Sequence, residues 1–334
     1  MNLWFRLCRA GFDESLAEFR VIPFIAHPWL RHGNLQTIIG SFDRLPNEQA
    51  VRRTITLSDG DQIVLHDDQP MTWQTDQPTA LLVHGLCGSH RSGYLVRIAA
   101  RLNDVGIRTF RLDMRGCGAG RALARRPYHS GRSEDLRAVL TSIAAWCPGS
   151  SCALVAFSLG ANAALKMLGE CGDRPPGGLD RAVIVSPPVD LAACVRSLQR
   201  YPARAYDRFF TRGLLNQVFS SPTLSETAAQ IFAHHRPTRL LDFDDAFTAP
   251  MCGFGNAATY YQRCSSAQLL PDIRVPTTIL SALDDPIVPV EPLRKATLSL
   301  STKLIITKHG GHLGFLGRDV RRWMDDFVVD SLKQ

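Results

Sequence analysis

One apolar run, Leu154-Val155-Ala156-Phe157, breaks at Ser158 and resumes beyond Leu159-Gly160 as Ala161-Asn162-Ala163-Ala164-Leu165-Lys166-Met167. That pattern predicts a buried strand, a tight turn and a helix. It constrains the chain more than any other segment does. A serine on so sharp a turn needs small neighbours, because the strand and helix crowd it. Its hydroxyl then emerges at the top of a sheet beside a helix N-terminus, where an acyl-transfer nucleophile belongs. The usual spacing is Gly-x-Ser-x-Gly; here Ala156 takes the first glycine's place, a difference of one methyl.

The flanking sequence alternates in the same way. Two short strands are predicted at residues 53–57 and 62–66 around the turn Ser58-Asp59-Gly60-Asp61. Strands at 79–83, 108–112, 153–157 and 181–186 follow, separated by helices over 93–105, over 133–147 with Ser133 as its cap, and over 160–171. Repeated βα units of this kind build a mainly parallel sheet with helices on both faces, an α/β fold. The alternation stops at Pro188. Up to residue 272 the chain reads as helical or irregular, and strands resume at 276–281 and 302–307 before a final helix over about 319–332. The expected organisation is an N-terminal arm (1–50), an α/β core (51–187 and 273–334) and a helical cap (188–272) inserted between the sixth and seventh strands. A cap there overhangs the C-terminal strand ends, where open α/β sheets bind ligands.

Within that stretch Arg196, Arg200, Arg204, Arg208 and Arg212 recur every fourth residue, interrupted by Pro202. They form either a solvated helical face or a cationic rim that attracts an anionic substrate or a lipid surface. Phe209, Phe210, Phe219, Phe243 and Phe247 either line an acyl pocket or pack the cap onto the core.

Of the 334 residues, 45% are hydrophobic and 21% charged, ordinary values for a globular protein with a sizeable core. No apolar run approaches the ~18–20 residues of a membrane span. The first ten residues carry too much charge for a secretory signal and read as a docked helix or as a short amphipathic helix on a membrane surface. Nine irregularly spaced cysteines, with no Cys-x-x-Cys pair, argue against a disulfide framework and a zinc site, and place the chain in reducing cytosol. The net charge of +7 favours anionic surfaces or substrates, yet no basic patch with interleaved aromatics points to nucleic acid.

Four segments at strand ends supply the parts of an acyl-transfer site. His84-Gly85-Leu86-Cys87-Gly88 follows the strand 79–83; its glycine turn exposes the Leu86 N–H, which pairs with that of Leu159 as an oxyanion hole. His84 itself stands ahead of the turn, in a structural position. Ser158 is the second part. The third is Ser281-Ala282-Leu283-Asp284-Asp285-Pro286, whose acid orients a histidine; Asp285 fits that role better, with Asp284 as the competing carboxylate. The fourth is His309-Gly310-Gly311-His312-Leu313-Gly314, in which His312 is the candidate general base and His309 a turn residue or a partner behind it. The order Ser158, Asp285, His312 is that of hydrolases built on this architecture. No metal or organic cofactor is called for.

With these motifs the chain resembles the α/β-hydrolase superfamily, and within it the YheT-like branch. The resemblance is carried by Pro28-Trp29-Leu30-Arg31-His32-Gly33-Asn34-Leu35-Gln36-Thr37, Arg115-Gly116-Cys117-Gly118, Phe157-Ser158-Leu159-Gly160-Ala161-Asn162 and Gly310-Gly311-His312-Leu313-Gly314-Phe315, and runs from about residue 20 to the C-terminus. It implies an α/β-hydrolase fold, a serine esterase acting on carboxylic esters, and a triad of Ser158, Asp285 and His312. The branch also includes acyltransferases, which would use the same triad, and a silent lipid- or partner-binding protein is the third reading. Ala156 and Ala161 depart from the branch's more usual glycines, and the 188–272 stretch is richer in arginine. Asn34, Leu35 and Gln36 offer no catalytic chemistry and are expected to pack beside the cleft. The Arg115 loop is expected to be structural.

Overall fold

The computed structural model describes residues 23–42, 50–318 and 322–333. Eight strands form one sheet: β1 (Val51–Thr56), β2 (Gln62–Asp68), β3 (Thr79–Val83), β4 (Arg108–Asp113), β5 (Cys152–Phe157), β6 (Leu179–Val185), β7 (Thr277–Ala282) and β8 (Thr302–Thr307). Their order is β1-β2-β4-β3-β5-β6-β7-β8. β1 and β2 pair antiparallel, β2 joins β4 antiparallel, and every later pairing is parallel. The central strands β3, β4 and β5 are buried at every residue; β3 and β5 read as largely apolar runs rather than alternating ones, whereas β4 carries Arg108 and Arg111, which pair with Asp67 and Asp68.

The helices are α1 (Gly33–Gly40), α2 (Gly93–Asp104), α3 (Ser133–Trp146), α4 (Ser158–Cys171), α5 (Leu191–Leu198), α6 (Arg204–Phe219), α7 (Ser225–Ile231), α8 (Leu240–Phe243), α9 (Ala249–Met251), α10 (Ala257–Cys264), α11 (Glu291–Lys295) and α12 (Trp323–Leu332). Two separate apolar cores cover the two faces of the sheet. One joins β3–β5 to α3, α4 and the helices between β6 and β7, and the other packs α2 and α12 on the opposite face. α5 to α10 all fall between β6 and β7, with no strand among them. Among the described residues no helix is long and apolar enough to cross a membrane.

Three local expectations shift. α3 is not capped by Ser133: Arg132 holds the cap position, and Ser133 is the first helical residue, its hydroxyl 3.3 Å from Lys166 Nζ. α4 begins at Ser158 rather than Gly160, so the serine is itself the first helical residue. α12 begins at Trp323; the expected start at 319 lies outside the described residues, as do the first ten residues of the chain.

Candidate active site

The turn between β5 and α4 holds Ser158 at φ 53°, left-handed backbone that non-glycine residues adopt only where their surroundings impose it. The crowding comes from β3. A Cβ on Gly160 would run into the His84 carbonyl and the Val83 side chain, so this position requires glycine, whereas Ala156 and Ala161 are accommodated fully buried. α4 thereby lies tight against the end of β3, with the Ser158 hydroxyl at the sheet's C-terminal edge.

Two other strand ends converge on it. His312 Nε2 lies 2.9 Å from Ser158 Oγ, and His312 Nδ1 lies 2.8 Å from Asp285 Oδ2. Asp285 is fixed from behind, its Oδ1 accepting from the N–H groups of Ile287 at 2.8 Å and Val288 at 2.9 Å. The carboxylate therefore demands a proton on Nδ1, which leaves Nε2 free to accept from the serine hydroxyl. Of the two adjacent acids, Asp285 faces the imidazole. Asp284 turns the other way: its Oδ1 accepts from Gly311 N at 2.9 Å, and its Oδ2 stands 3.5 Å from His309 Nδ1. His309 and Asp284 thus brace the loop that carries His312.

The other side of the loop rests on α1. The His312 N–H donates to Thr37 Oγ1 at 2.8 Å, and buried Gln36 ties α1 to Leu316 through Oε1 and Nε2 at 2.6 and 3.2 Å. Asn34 Oδ1 accepts from Tyr206 Oη at 2.8 Å. The Asn-Leu-Gln-Thr segment, without chemistry of its own, sets the height of the histidine loop. Asn162 does the same for the elbow. Its Nδ2 donates to Cys264 O and to the Ser130 O and Oγ pair, and its Oδ1 accepts from Ser266 N, so both ends of the buried amide are engaged.

The loop after β3 carries Leu86. Gly88 N donates to Gly85 O, closing a turn around Leu86 and Cys87, and Cys87 N donates to Tyr128 Oη at 2.9 Å. Leu159, the second residue of α4, has no carbonyl four residues back within its helix to take its N–H. Leu86, Ser158 and Leu159 line one pocket. His84 is fully buried; its Nδ1 bonds Gly85 O at 2.7 Å and its Nε2 accepts from Met114 N, and burial holds its pKa down. It is a neutral brace for the turn and does not reach Ser158. Burial also pushes the Cys87 thiol up to about 12, which keeps it protonated beside the turn.

Beneath this loop lies a cluster that sequence reasoning missed. Asp113, at the end of β4, accepts from His90 N at 2.7 Å, and its Oδ2 takes His66 Nε2, His90 Nδ1 and Ala119 N at 3.0, 2.8 and 2.8 Å. The two imidazoles stack with centroids 3.4 Å apart. The three side chains offer donor atoms within 4.8 Å of one another, a spacing that a metal ion could use. The carboxylate is already saturated by four donors, however. Burial pulls its pKa upward, yet the bonds from His66 and His90 outweigh it and hold the group below the usual range. The trio is a clamp on the loop, joining segments too far apart for any local motif to reveal.

Arg115 is structural, as expected. It forks onto Asp135 at 2.7 and 2.8 Å and reaches Asp59 at 2.6 Å and Asp61 at 2.9 Å.

The pocket at Ser158 is mostly apolar and opens to solvent. Its walls come from α5 (Leu191, Cys194, Val195, Leu198), α6 (Phe210, Leu214) and the loop after β7 (Ile287, Val288). Of the five phenylalanines, only Phe210 lines it. Phe243 and Phe247 stack on Phe232 in the core, Phe219 packs on Phe232, and Phe209 is exposed. One charged group also lines the pocket. Asp244 opens a π-helical turn (Asp244–Thr248) and accepts from Tyr261 Oη at 2.7 Å. Burial, with the Asp207 charge adding to it, raises its carboxyl to about 6 against the hydrogen bonds from Tyr261 and Thr248.

Since Asp244 binds its proton more tightly folded than unfolded, it costs stability as pH rises from about 4 to about 6, a loss of roughly 3 kcal/mol when complete. Asp244→Asn is expected to gain on the order of 2 kcal/mol at pH 8 and nothing at pH 4. Urea denaturation at the two pH values measures the difference.

An elbow serine, a histidine from the loop after the last strand and an aspartate from the loop after β7, set on this mostly parallel sheet, define an α/β hydrolase. The alpha/beta hydrolase family pattern matches residues 80–325, and the chain belongs to that family. It is 31% identical over 290 residues to the YheT protein of Escherichia coli, covering 83% of each chain. It is also 31% identical over 277 residues to a monoacylglycerol lipase of Saccharomyces cerevisiae, covering 80% of this chain and 61% of the relative. The esterase Pf2001 of Pyrococcus furiosus shares the fold, with a TM-score of 0.58 at 16% identity over 87% of this chain and 98% of its own.

Proposed function

We propose that the protein is a carboxylesterase-type serine hydrolase that cleaves acyl esters through Ser158, His312 and Asp285. The observation that carries this reading is the continuous contact from Asp285 through His312 to Ser158, at 2.8 and 2.9 Å, on a strained turn opening into an apolar pocket. His312 Nε2 takes the Ser158 proton as Oγ attacks the ester carbonyl. Asp285 stabilises the imidazolium without taking its proton. The carbonyl oxygen becomes an oxyanion held by the Leu86 and Leu159 N–H groups, each of which is worth roughly 3–4 kcal/mol in sites of this kind. The intermediate collapses, His312 protonates the leaving alkoxide, and the acyl group stays on Ser158. Water then gives its proton to His312 as it attacks the acyl carbonyl, and His312 returns that proton to Ser158 Oγ as the acid leaves.

The helices between β6 and β7 act as the cap, and their apolar walls hold the acyl chain. The monoacylglycerol lipase relative supports an acyl-lipid ester as substrate. The eight described cysteines are free thiols and fit a reducing compartment.

The test is covalent labelling. A fluorophosphonate is expected to modify the folded protein once, at the peptide carrying Ser158, and to leave Ser158→Ala and unfolded protein unmodified. Turnover of a short p-nitrophenyl ester by Ser158→Ala equal to that of the parent, or labelling elsewhere alone, overturns the reading.

A further inference from the structure

The arginine series and the segment around α1 take no part in this chemistry, yet they meet through Tyr206 and Asn34, and α1 holds the loop that carries His312. Among the described residues fourteen large apolar side chains are exposed, and six of them, Ile25, Trp29, Leu35, Ile38, Ile39 and Phe42, fall within residues 25–42. On α1 the buried residues Gly33, Gln36 and Gly40 face the protein, which leaves Leu35, Ile38 and Ile39 as an outward aliphatic face. Trp29 is 83% and Phe42 70% exposed at its two ends. Exposed apolar side chains concentrated in one short segment in this way mark an interaction site.

Charge says what it meets. Residues 23–42 contain no aspartate or glutamate and carry exposed Arg31. Residues 191–219 contain Arg196, Arg200, Arg204, Arg208 and Arg212, all exposed, and one acid, Asp207, which is buried and bonded to Leu240 N at 2.7 Å. None of the five arginines is paired with a carboxylate among the described residues. Arg208 and Arg212 lie one turn apart on the solvent face of α6, beside Phe209, which is 67% exposed. One turn from Phe209, Tyr206 bonds Asn34 on α1 at 2.8 Å. Apolar and cationic surfaces are thus joined, and both adjoin the site: Thr37 holds the His312 N–H, and Gly33 abuts the Asp284 carbonyl.

We propose that the α1 face and the α5–α6 arginines together dock the protein on an anionic lipid bilayer, with the pocket mouth at the membrane surface. Apolar side chains enter the interface while the arginines stay at the headgroups, two signals neither of which anchors a protein firmly alone. Nucleic acid would use the arginines but has no need of an aliphatic helix face. The docking itself is independent of the esterase reading; only its consequence, delivery of an acyl lipid from the bilayer, rests on that reading.

Full-length Ser158→Ala protein, which cannot turn over lipid, is cosedimented with phosphatidylcholine vesicles with and without phosphatidylglycerol. Binding is expected only with the anionic lipid and to fall with added salt. Arg208→Glu/Arg212→Glu is expected to weaken it by roughly tenfold or more, and Trp29→Ser/Phe42→Ser to weaken it as well. The same pairs in the active protein keep parental turnover of a soluble short ester, which shows that they fold. Equal binding to both vesicles, or parental binding by either folded pair, overturns the proposal. So does sedimentation velocity that finds a dimer dissociated by Trp29→Ser/Phe42→Ser, because a second copy would then occupy the face. Failure of Ser158 to label leaves the vesicle result standing, so the two readings fail separately.

Discussion

Asp285→Asn is expected to lower kcat for a soluble ester by about 10⁴-fold, while Asp284→Asn leaves it nearly unchanged. The two residues are neighbours and chemically identical, so the difference is one of bonding alone. Asp285 Oδ1 accepts two backbone N–H groups, from Ile287 and Val288. An asparagine must keep its carbonyl oxygen there, since turning the amide nitrogen to those groups would set donor against donor. The NH₂ then faces His312 Nδ1, 2.8 Å away. The imidazole answers by moving its proton to Nε2, and an Nε2–H cannot take the proton of Ser158. Geometry survives and the base is lost. The Asp284→Asn side chain keeps an oxygen for Gly311 N, so the loop bearing His312 stays in place. Steady-state kinetics of both variants, with urea midpoints to show that both fold, decide the matter. An equal loss in the two would mean that loop position rather than the His312 tautomer limits turnover, and Asp285 would lose its assigned role.

The same pair marks where the sequence stops being informative. Ser158 and His312 are legible because each follows a strand and sits in small-residue surroundings, so local pattern alone gives their place at the sheet edge. Which of two adjacent carboxylates turns inward depends on backbone donors at 287 and 288 and on Gly311, more than twenty residues away, and sequence order favours Asp285 without deciding it. β3 and β5 are legible for the reason that puts them mid-sheet, burial of both faces. The pocket is not. Its walls come from α5, α6 and α10 in a stretch whose pattern announces helix but not which face turns inward, so phenylalanines that could have lined it pack on Phe232 instead. Asp244 enters the pocket through a π-helical turn, a shift in helical phase that shows in no apolar periodicity. The His66–His90–Asp113 clamp joins two strands and a loop through single atoms, and nothing local to any one of the three residues signals it.

Arg115→Ala is expected to destabilise the protein by about 3–5 kcal/mol, because it breaks a buried charge network. The guanidinium is 2% exposed and uses its fork on Asp135 while Nη1 meets Asp59 and Asp61. Removing it leaves the buried carboxylate of Asp135, 8% exposed, without its forked partner, while Asp61, 3% exposed, keeps the Arg125 and Arg126 N–H groups and the exposed Arg125 guanidinium at 3.5 Å. Burial already raises the Asp135 carboxyl, and Arg115 holds it down; without the guanidinium it rises further, so the defect is fullest at pH 8 and shrinks as pH falls and the folded state takes up a proton. That pH dependence separates lost charge pairing from lost packing, which would be the same at either pH. Arg115→Lys, which keeps a charge but cannot span three carboxylates, falls between parent and alanine variant. Thermal unfolding at pH 8 should drop on the order of 10 °C for Arg115→Ala. Fluorophosphonate labelling of Ser158 well below that transition should persist, because Arg115 touches neither the serine nor its histidine. A loss that does not diminish between pH 8 and pH 5 would show that the arginine's hydrocarbon stem, and not its three ion pairs, holds the loop after β4 in place.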